Sequence, residues 1–349
     1  MKFELRFSDR DRRKVFVKIE IIAEIAQGFE GDAVKSSLLL KSAANSGADA
    51  AKFQMIYANE IATQDYKFYD LFKSLEMSDS IWMDLYQQSI ELNIELQLDI
   101  FGMASLEKCV ELGVKTVKVH PTDVSNIALL SGLAESPIER VLLGVGGAHS
   151  SEIDTALNLL KGKRIVLILG FQGYPTQTSA NQIARIGILS NKYCVNPNIT
   201  IGFADHAEPD SGLAELLGAM SIGAGATLVE KHITLNRVLQ MEDHESALNP
   251  DEFAEYSKKL NAVSHALGLS SDSEDFGMDP DEMNYRNSIR RHVVAASHIS
   301  KGQLINPFNL RLKRTSADNP ITDLNYVYGK TALVDIAENT YISIWDLSE

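Results

Sequence analysis

From residue 17 onward the chain repeats one unit, a short apolar run followed by a longer stretch whose apolar residues recur at helical spacing. The runs fall at 17–23, 50–56, 95–101, 116–120, 141–145, 165–171, 199–204 and 227–233. Between them, 32–45 carries Val34, Leu38, Leu39 and Ala43, 78–92 carries Ile81, Leu85 and Ile90, and 150–160 carries Ile153, Leu157 and Leu160. Strands alternating with helices imply a parallel sheet covered by helices, because parallel neighbours need a crossover connection. Eight such units is the number that closes a sheet on itself, so the pattern predicts an α/β chain with a (β/α)₈ TIM barrel. A doubly wound open sheet is the structural competitor.

The repeat stops after a helical stretch at 251–267. Residues 268–287 are polar and acidic (Ser270, Ser271, Asp272, Ser273, Glu274, Asp275) and read as a linker that cannot bury a core of its own. Beyond it, short β-rich runs at 292–296 and 330–334 are separated by the turn signals Lys301-Gly302 and Glu338-Asn339. The expected layout is an N-terminal extension 1–16, a barrel 17–267, a linker 268–287 and a small β-rich domain 288–349. The extension alternates in charge (Arg10, Asp11, Arg12, Arg13, Lys14) and has no apolar h-region, so it does not read as a secretory signal.

Bulk properties narrow the partners. A chain of 349 residues with 45% hydrophobic content can bury more than one core. Its formal charge of -14 disfavours nucleic acid and anionic membrane surfaces, where phosphate neutralisation supplies the affinity. No apolar run is long enough to span a bilayer. The two cysteines, Cys109 and Cys194, make no metal-type cluster and fit a reducing cytoplasm.

Barrel strands alternate their side chains between lumen and helix layer, so polar residues two apart share the lumen. Lys52 and Gln54 flank Phe53, Lys118 and His120 flank Val119, and Glu230 and His232 flank Lys231. Asp205 and His206 follow the run 199–204, and Glu24 stands just past Ala23. All lie at C-terminal strand ends, where barrel active sites assemble. Lys52 also reads as a structural counter-ion of Glu24, since structural networks collect charge too. One buried histidine is usually a satisfied core residue, but His206 and His232, on adjacent strands, converge as ligands for a divalent metal. His244, beside Asp243, reads equally as a further ligand or a loop residue. His120 stays open, and His149, His265, His292 and His298 read as surface or turn residues. These residues lead to a metal-dependent enzyme on a phosphorylated or carboxylated small molecule.

The motifs resemble, in order, those of the sialic acid (nonulosonate) synthase family. Ile22-Ala23-Glu24-Ile25 with Gly31-Asp32 resembles its first strand and loop, and Gly47-Ala48-Asp49-Ala50-Ala51-Lys52-Phe53-Gln54 its second. Lys118 through Asp123 with Asn126, and Tyr174-Pro175-Thr176, resemble the fourth and sixth units. Gly202-Phe203-Ala204-Asp205-His206 and Glu230-Lys231-His232-Ile233-Thr234-Leu235 resemble the metal-ligand segments, followed by Asp243-His244 and Leu248-Asn249-Pro250-Asp251-Glu252-Phe253. The tail (Arg290-Arg291, Lys301-Gly302, Asn309-Leu310, Lys313-Arg314, Gly329-Lys330) resembles the antifreeze-like SAF domain of these enzymes.

The resemblance implies metal-dependent condensation of phosphoenolpyruvate with an open-chain N-acyl amino sugar, giving a nine-carbon 2-keto acid and phosphate. It implies His206 and His232 as ligands of Mn²⁺, Mg²⁺ or Co²⁺, and Lys52 and Lys118 on the carboxylate and phosphate of phosphoenolpyruvate. It assigns Gln54, Tyr174 and Asp243 to orienting the substrates, Glu24 to the sugar or a water, and Asp205 to the catalytic set beside His206. Arg314 reaches the acyl group of the sugar in a partner subunit, which implies a domain-swapped homodimer. Some positions depart from the family pattern. The first loop has Gly28-Phe29 for Asn-His, and Asp99 stands for a phosphate-binding Thr. Pro121, Gly144 and Ala204 stand for serines, as Ala247 does after Asp243-His244, Gln172 for the residue before Tyr-Pro, and Thr315 for a Pro. Asp99 and Gln172 thus fall at substrate-contact positions, and an unusual sugar is expected. The competing functions are a metal-dependent aldolase or lyase on the same barrel, and a non-catalytic sugar-binding relative that has lost phosphoenolpyruvate.

Overall fold

The structure, a computed structural model, describes residues 18–170, 173–268, 273–317 and 321–349. The expected extension 1–16 lies outside the described residues. The chain divides into two compact units, 1–269 and 270–349.

The first unit is a closed barrel of eight parallel strands in sequence order. They are β1 (Glu20–Ala26), β2 (Ala50–Gln54), β3 (Glu95–Ile100), β4 (Thr116–Val119), β5 (Arg140–Gly144), β6 (Arg164–Leu169), β7 (Ile199–Asp205) and β8 (Leu228–His232), with β8 closing on β1. The open-sheet alternative falls. β1 runs from Glu20 rather than over 17–23, because its pairing with β8 starts at Glu20–Leu228. Glu24 is therefore inside the strand, opposite both Lys52 and His232.

Helices cover the barrel and are punctuated as their sequences dictate. Asp32 accepts from the backbone N–H groups of Val34 and Lys35 and so starts helix Ala33–Asn45. Asn249 precedes Pro250, and Glu252 accepts from its N–H at 2.8 Å, which starts helix Pro250–Leu267. The larger core lies between strands and helices, where Phe29 and Phe53 set their rings against Trp82 at centroid distances of 6.1 and 6.2 Å. The lumen is filled by Ile22, Ala50, Leu142, Val166, Ile168, Ala204 and Leu228. Below them, at the N-terminal strand ends, Arg140 grips Glu20, and Gln97 bonds to Glu20 and Glu95. Among the described residues the lumen is thus plugged from below, and barrel sites assemble at the opposite, C-terminal ends.

The second unit pairs β9 (His292–Ala295) with β10 (Leu310–Lys313) in antiparallel register and has its own core, including Val293, Ala295, Ile305, Val327 and Ile342. Two expectations need correction there. The stretch read as a linker contains helix Pro280–Ile289, capped by Asp279; it buries no residue, so a reading based on apolar patterning had nothing to detect. His292, read as a surface residue, is buried in β9. No helix among the described residues is long and apolar enough to cross a membrane.

Candidate active site

Strand parity gathers the expected side chains. Lys52 and Lys118 sit in the lumen among Glu24, Asp99 and Glu230, all five buried. Lys52 Nζ bonds Glu24 and lies 3.1 Å from Asp99 and 3.4 Å from Glu230. Lys118 Nζ donates to Glu230 at 2.7 Å and lies 3.5 Å from Glu24 and 3.6 Å from Asp99. Two ammonium groups therefore face three carboxylates, one negative charge in excess. Burial pushes Lys52 down to about 8, with Lys118 adding to this and Asp99 and Glu230 opposing it. Burial also opposes charge on Lys118, but Asp99 and Glu230 outweigh it and hold that lysine above its ordinary range. The two lysines in turn hold Glu230 below the usual carboxylate range against its burial. The bland reading of Lys52 as the counter-ion of Glu24 thus holds, within a five-membered network.

Above this network the two histidines meet. Their ring centroids are 5.3 Å apart, and Tyr174 packs on them at 4.6 Å from His206 and 5.5 Å from His232. Burial, followed by the neighbouring His206, holds His232 well below its ordinary pKa, leaving the neutral imidazole that binds metals. The His206 carbonyl accepts from Thr176 N at 2.8 Å and Ser246 Oγ at 3.0 Å, which ties the β7 loop to its neighbours. With metal–nitrogen bonds of about 2.1 Å, two imidazoles sharing one ion have centroids about 5 Å apart, so the pair fits. No group of three His, Cys, Asp or Glu ligands occurs among the described residues, which offer the two histidines there.

Beside the histidines opens a cavity of about 780 Å³. Gln54, Tyr174 and Asp243 line it as expected, joined by Gln27 and His120, and by a wall including Ile61, Tyr66, Phe72 and Phe101. Gln27 donates to Gln54 at 2.9 Å. Burial pushes the Asp243 carboxyl up to about 6, and burial with Asp243 pushes the Tyr174 hydroxyl up. Ile61, Tyr66 and Phe72 of this wall were missed by sequence reasoning because they lie in the long β2–β3 connection, which carries no strand parity; Phe101 directly follows β3.

Asp205 does not join this group. It faces the helix layer, 3.4 Å from Lys231 Nζ, and accepts from Tyr256 Oη at 3.3 Å and Ala207 N at 2.8 Å. Lys231 also donates to the Ala207 carbonyl at 2.8 Å. Asp205 and Lys231 each precede a histidine by one residue, and parity turns them to the opposite face. Adjacency in sequence suggested a catalytic pair; alternation makes Asp205 part of a buried clamp behind both strand ends. Gln172 lies outside the described residues. Arg314 directly follows β10 in the second unit.

The NeuB family profile matches residues 39–272, and the SAF domain profile matches 290–348. The chain belongs to the NeuB family. It is 27% identical to the N,N'-diacetyllegionaminic acid synthase of Campylobacter jejuni, covering 93% of this chain and 99% of that protein. It is 25% identical to the human N-acetylneuraminate-9-phosphate synthase, covering 92% and 90%. Among solved structures, an N-acetylneuraminic acid synthetase from Leptospira borgpetersenii in complex with citrate superposes with a TM-score of 0.69 at 28% identity, covering 78% of this chain and 93% of that one.

In this NeuB-family barrel, some of the departures noted in the sequence pack against glycines at neighbouring strand ends. A Cβ on Gly144 would fall 2.4 Å from Pro121 Cδ, and one on Gly170 would fall 2.7 Å from Ala204 Cβ. Pro121 and Ala204 thus take up the space that side chains on β5 and β6 would need. Asp99 lies between the two lysines, and among the described residues neither of its oxygens has a well-directed hydrogen bond.

Proposed function

We propose that the chain is a nonulosonate-synthase-type enzyme, forming a carbon–carbon bond between phosphoenolpyruvate and the aldehyde of an open-chain N-acyl amino sugar. The observation that carries this reading is the convergence of His206, His232 and Tyr174 over the Lys52–Lys118 network, beside a cavity large enough for a sugar. Lys52 and Lys118 bind the anionic donor once their carboxylate partners yield. Gln54 and Asp243 orient sugar hydroxyls, and Glu24, on β1 between Lys52 and His232, positions the sugar or a water. Mn²⁺, Mg²⁺ or Co²⁺ held by His206 and His232 supplies a Lewis acid for the aldehyde. In a domain-swapped homodimer Arg314 completes the site by contacting the acyl group. An unusual sugar fits the altered positions around the donor.

A second reading has its own observation. Asp99 between the lysines, with Pro121 and Ala204 in place of hydroxyl donors, favours a less charged donor, which makes the chain a pyruvate-dependent aldolase or lyase. Purified protein with Mn²⁺, a panel of N-acyl hexosamines and either donor separates the two. Sugar-dependent phosphate release from phosphoenolpyruvate supports the synthase. A keto-acid product from pyruvate without phosphate supports the aldolase. No product from either donor leaves a non-catalytic sugar-binding relative.

A further inference from the structure

The cavity beside the histidines changes character across its width. Asp243 and Gln27 reach it from beyond the ends of β8 and β1, and Tyr174 from beyond β6, where it packs on both imidazoles. The apolar side comes mainly from one segment, 57–76, between β2 and β3, where Ile61, Tyr66 and Phe72 line the cavity. In the strand order β8-β1-β2-β3 this segment lies well round the barrel from His232. The Tyr66 ring stacks on Phe72 at a centroid distance of 6.1 Å and meets the edge of Phe68 at 5.8 Å, yet Tyr66 stays 46% exposed. Glu60 latches this segment to the neighbouring unit. Its Oε1 accepts from Ala104 N at 2.6 Å and its Oε2 from Ser105 N at 3.2 Å. Both donors belong to the first turn of helix Met103–Leu112, which has no partner for them within the helix and favours negative charge at that end. The Ser105 hydroxyl, 3.0 Å from Oε2 and 3.0 Å from the Gly102 carbonyl, divides one proton between them, so the two backbone donors carry the latch. Gly102 leaves room for it, since a Cβ there would fall 2.3 Å from Glu60 Oε1. The segment also ties to itself: Ala58 N donates to Glu76 at 2.9 Å, and Tyr69 Oη to Asn59 at 2.6 Å.

We propose that Glu60 is a positioning residue, and that the wall it holds, led by Tyr66 and Phe72, selects an acceptor sugar whose end far from the aldehyde is apolar. This rests on the reading of the chain as a condensing enzyme and adds what its acceptor must present. With the aldehyde at the histidines, the acceptor chain extends across the cavity toward the segment 57–76. A terminal hydroxyl set against Ile61 and Phe72 gives up water without gaining a partner, whereas a methyl group there gains burial and dispersion. The aromatic faces of Tyr66 and Phe72 also suit C–H groups, which meet the negative face of a ring. The polar groups of the same segment leave this preference in place. Glu60 is occupied by the latch, and the Thr63 side chain bonds Asp65. Ile61 and Ala62, which line the cavity, follow Glu60 directly, so releasing its carboxylate frees the wall at its root.

The test compares N-acetylmannosamine with its 6-deoxy counterpart as acceptors for the full-length protein, with phosphoenolpyruvate and Mn²⁺. The wild type should favour the deoxy sugar in kcat/KM by about 10–100-fold. Tyr66→Ser, at a half-exposed site, should bring that ratio close to one, and it keeps the test open where Glu60→Ala fails to fold. Glu60→Ala should lose the preference through the acceptor KM, with kcat within about threefold of the wild type. Hydrogen exchange should quicken together in peptides covering 58–72 and 102–106 of Glu60→Ala, and Glu60→Gln, which keeps one acceptor oxygen, should lie between. A wild type without the preference, or exchange over 58–72 that Glu60→Ala leaves unchanged, overturns the proposal. If the wild type turns over neither sugar, the proposed function falls, and calorimetric binding of the same two sugars decides the inference. Tighter binding of the deoxy sugar, lost in Tyr66→Ser, then upholds the wall; equal binding or none overturns it.

Discussion

Asp99→Asn perturbs the most unusual feature of the site, and the structure fixes the sign of its effect. The native cluster sets two ammonium groups against three carboxylates. Asp99 attracts Lys52 at 3.1 Å and Lys118 at 3.6 Å, but it also repels Glu24 and Glu230, which hold the same two lysines. At an effective dielectric of about 20, unit charges about 4 Å apart interact by about 4 kcal/mol, and repulsion from the two carboxylates that share the same lysines offsets the two attractions. What remains is the cost of keeping a fully buried carboxylate whose oxygens lack well-directed hydrogen bonds, about 1–3 kcal/mol. The neutral amide should therefore leave stability unchanged or raise it by up to about 3 kcal/mol. Removing a cation should do the reverse: Lys118→Met strands two buried negative charges and should cost about 3–5 kcal/mol. Urea unfolding followed by Trp82 fluorescence reports on the barrel, because Trp82 is buried there while Trp345 of the second unit is exposed. Calorimetric titration should show phosphoenolpyruvate binding the Asp99→Asn protein at least about tenfold more tightly, about 1.4 kcal/mol, since one like charge is gone. A loss of about 3 kcal/mol or more in Asp99→Asn would refute the charge accounting and make Asp99 an indispensable counter-ion.

Other outcomes follow from the same geometry. Lys231→Met breaks the clamp behind both histidines and leaves Asp205 buried and unpaired; it should destabilise the barrel by about 3–5 kcal/mol in urea and weaken Mn²⁺ binding in calorimetry. The Asp243 carboxyl titrates at about 6 in the fold against 3.8 unfolded, so the native state holds the extra proton between these values. Wild-type stability relative to Asp243→Asn should accordingly fall as pH rises from about 4 to about 6 and stay level above; chemical unfolding at several pH values checks this, and a rise would contradict it. Gly146→Ala places a Cβ 1.9 Å from the Gly170 carbonyl oxygen, so backbone must move; a loss of about 1–3 kcal/mol or more is expected in thermal unfolding.

Much of this was legible in the sequence, for a physical reason. Barrel strands carry a period-two code, and the pairs Lys52/Gln54, Lys118/His120 and Glu230/His232 announced the lumen because Phe53, Val119 and Lys231 separate them. The same code, applied one residue further, sends Asp205 to the helix layer; reading it as the neighbour of His206 ignored the alternation. Where no periodicity exists the sequence is mute. The wall formed by Ile61, Tyr66 and Phe72 comes from a long connection. The fit of Pro121 against Gly144 joins different strands and needs coordinates to be seen.

Mn²⁺ titration of the purified protein, read by calorimetry or by the loss of the free-ion EPR signal, tests most directly whether β7 and β8 jointly grip an ion. One site per chain in the wild type, weakened at least about a hundredfold in both His206→Ala and His232→Ala, is the predicted result. Binding that survives either substitution unchanged, or no binding at all by the wild type, would contradict it.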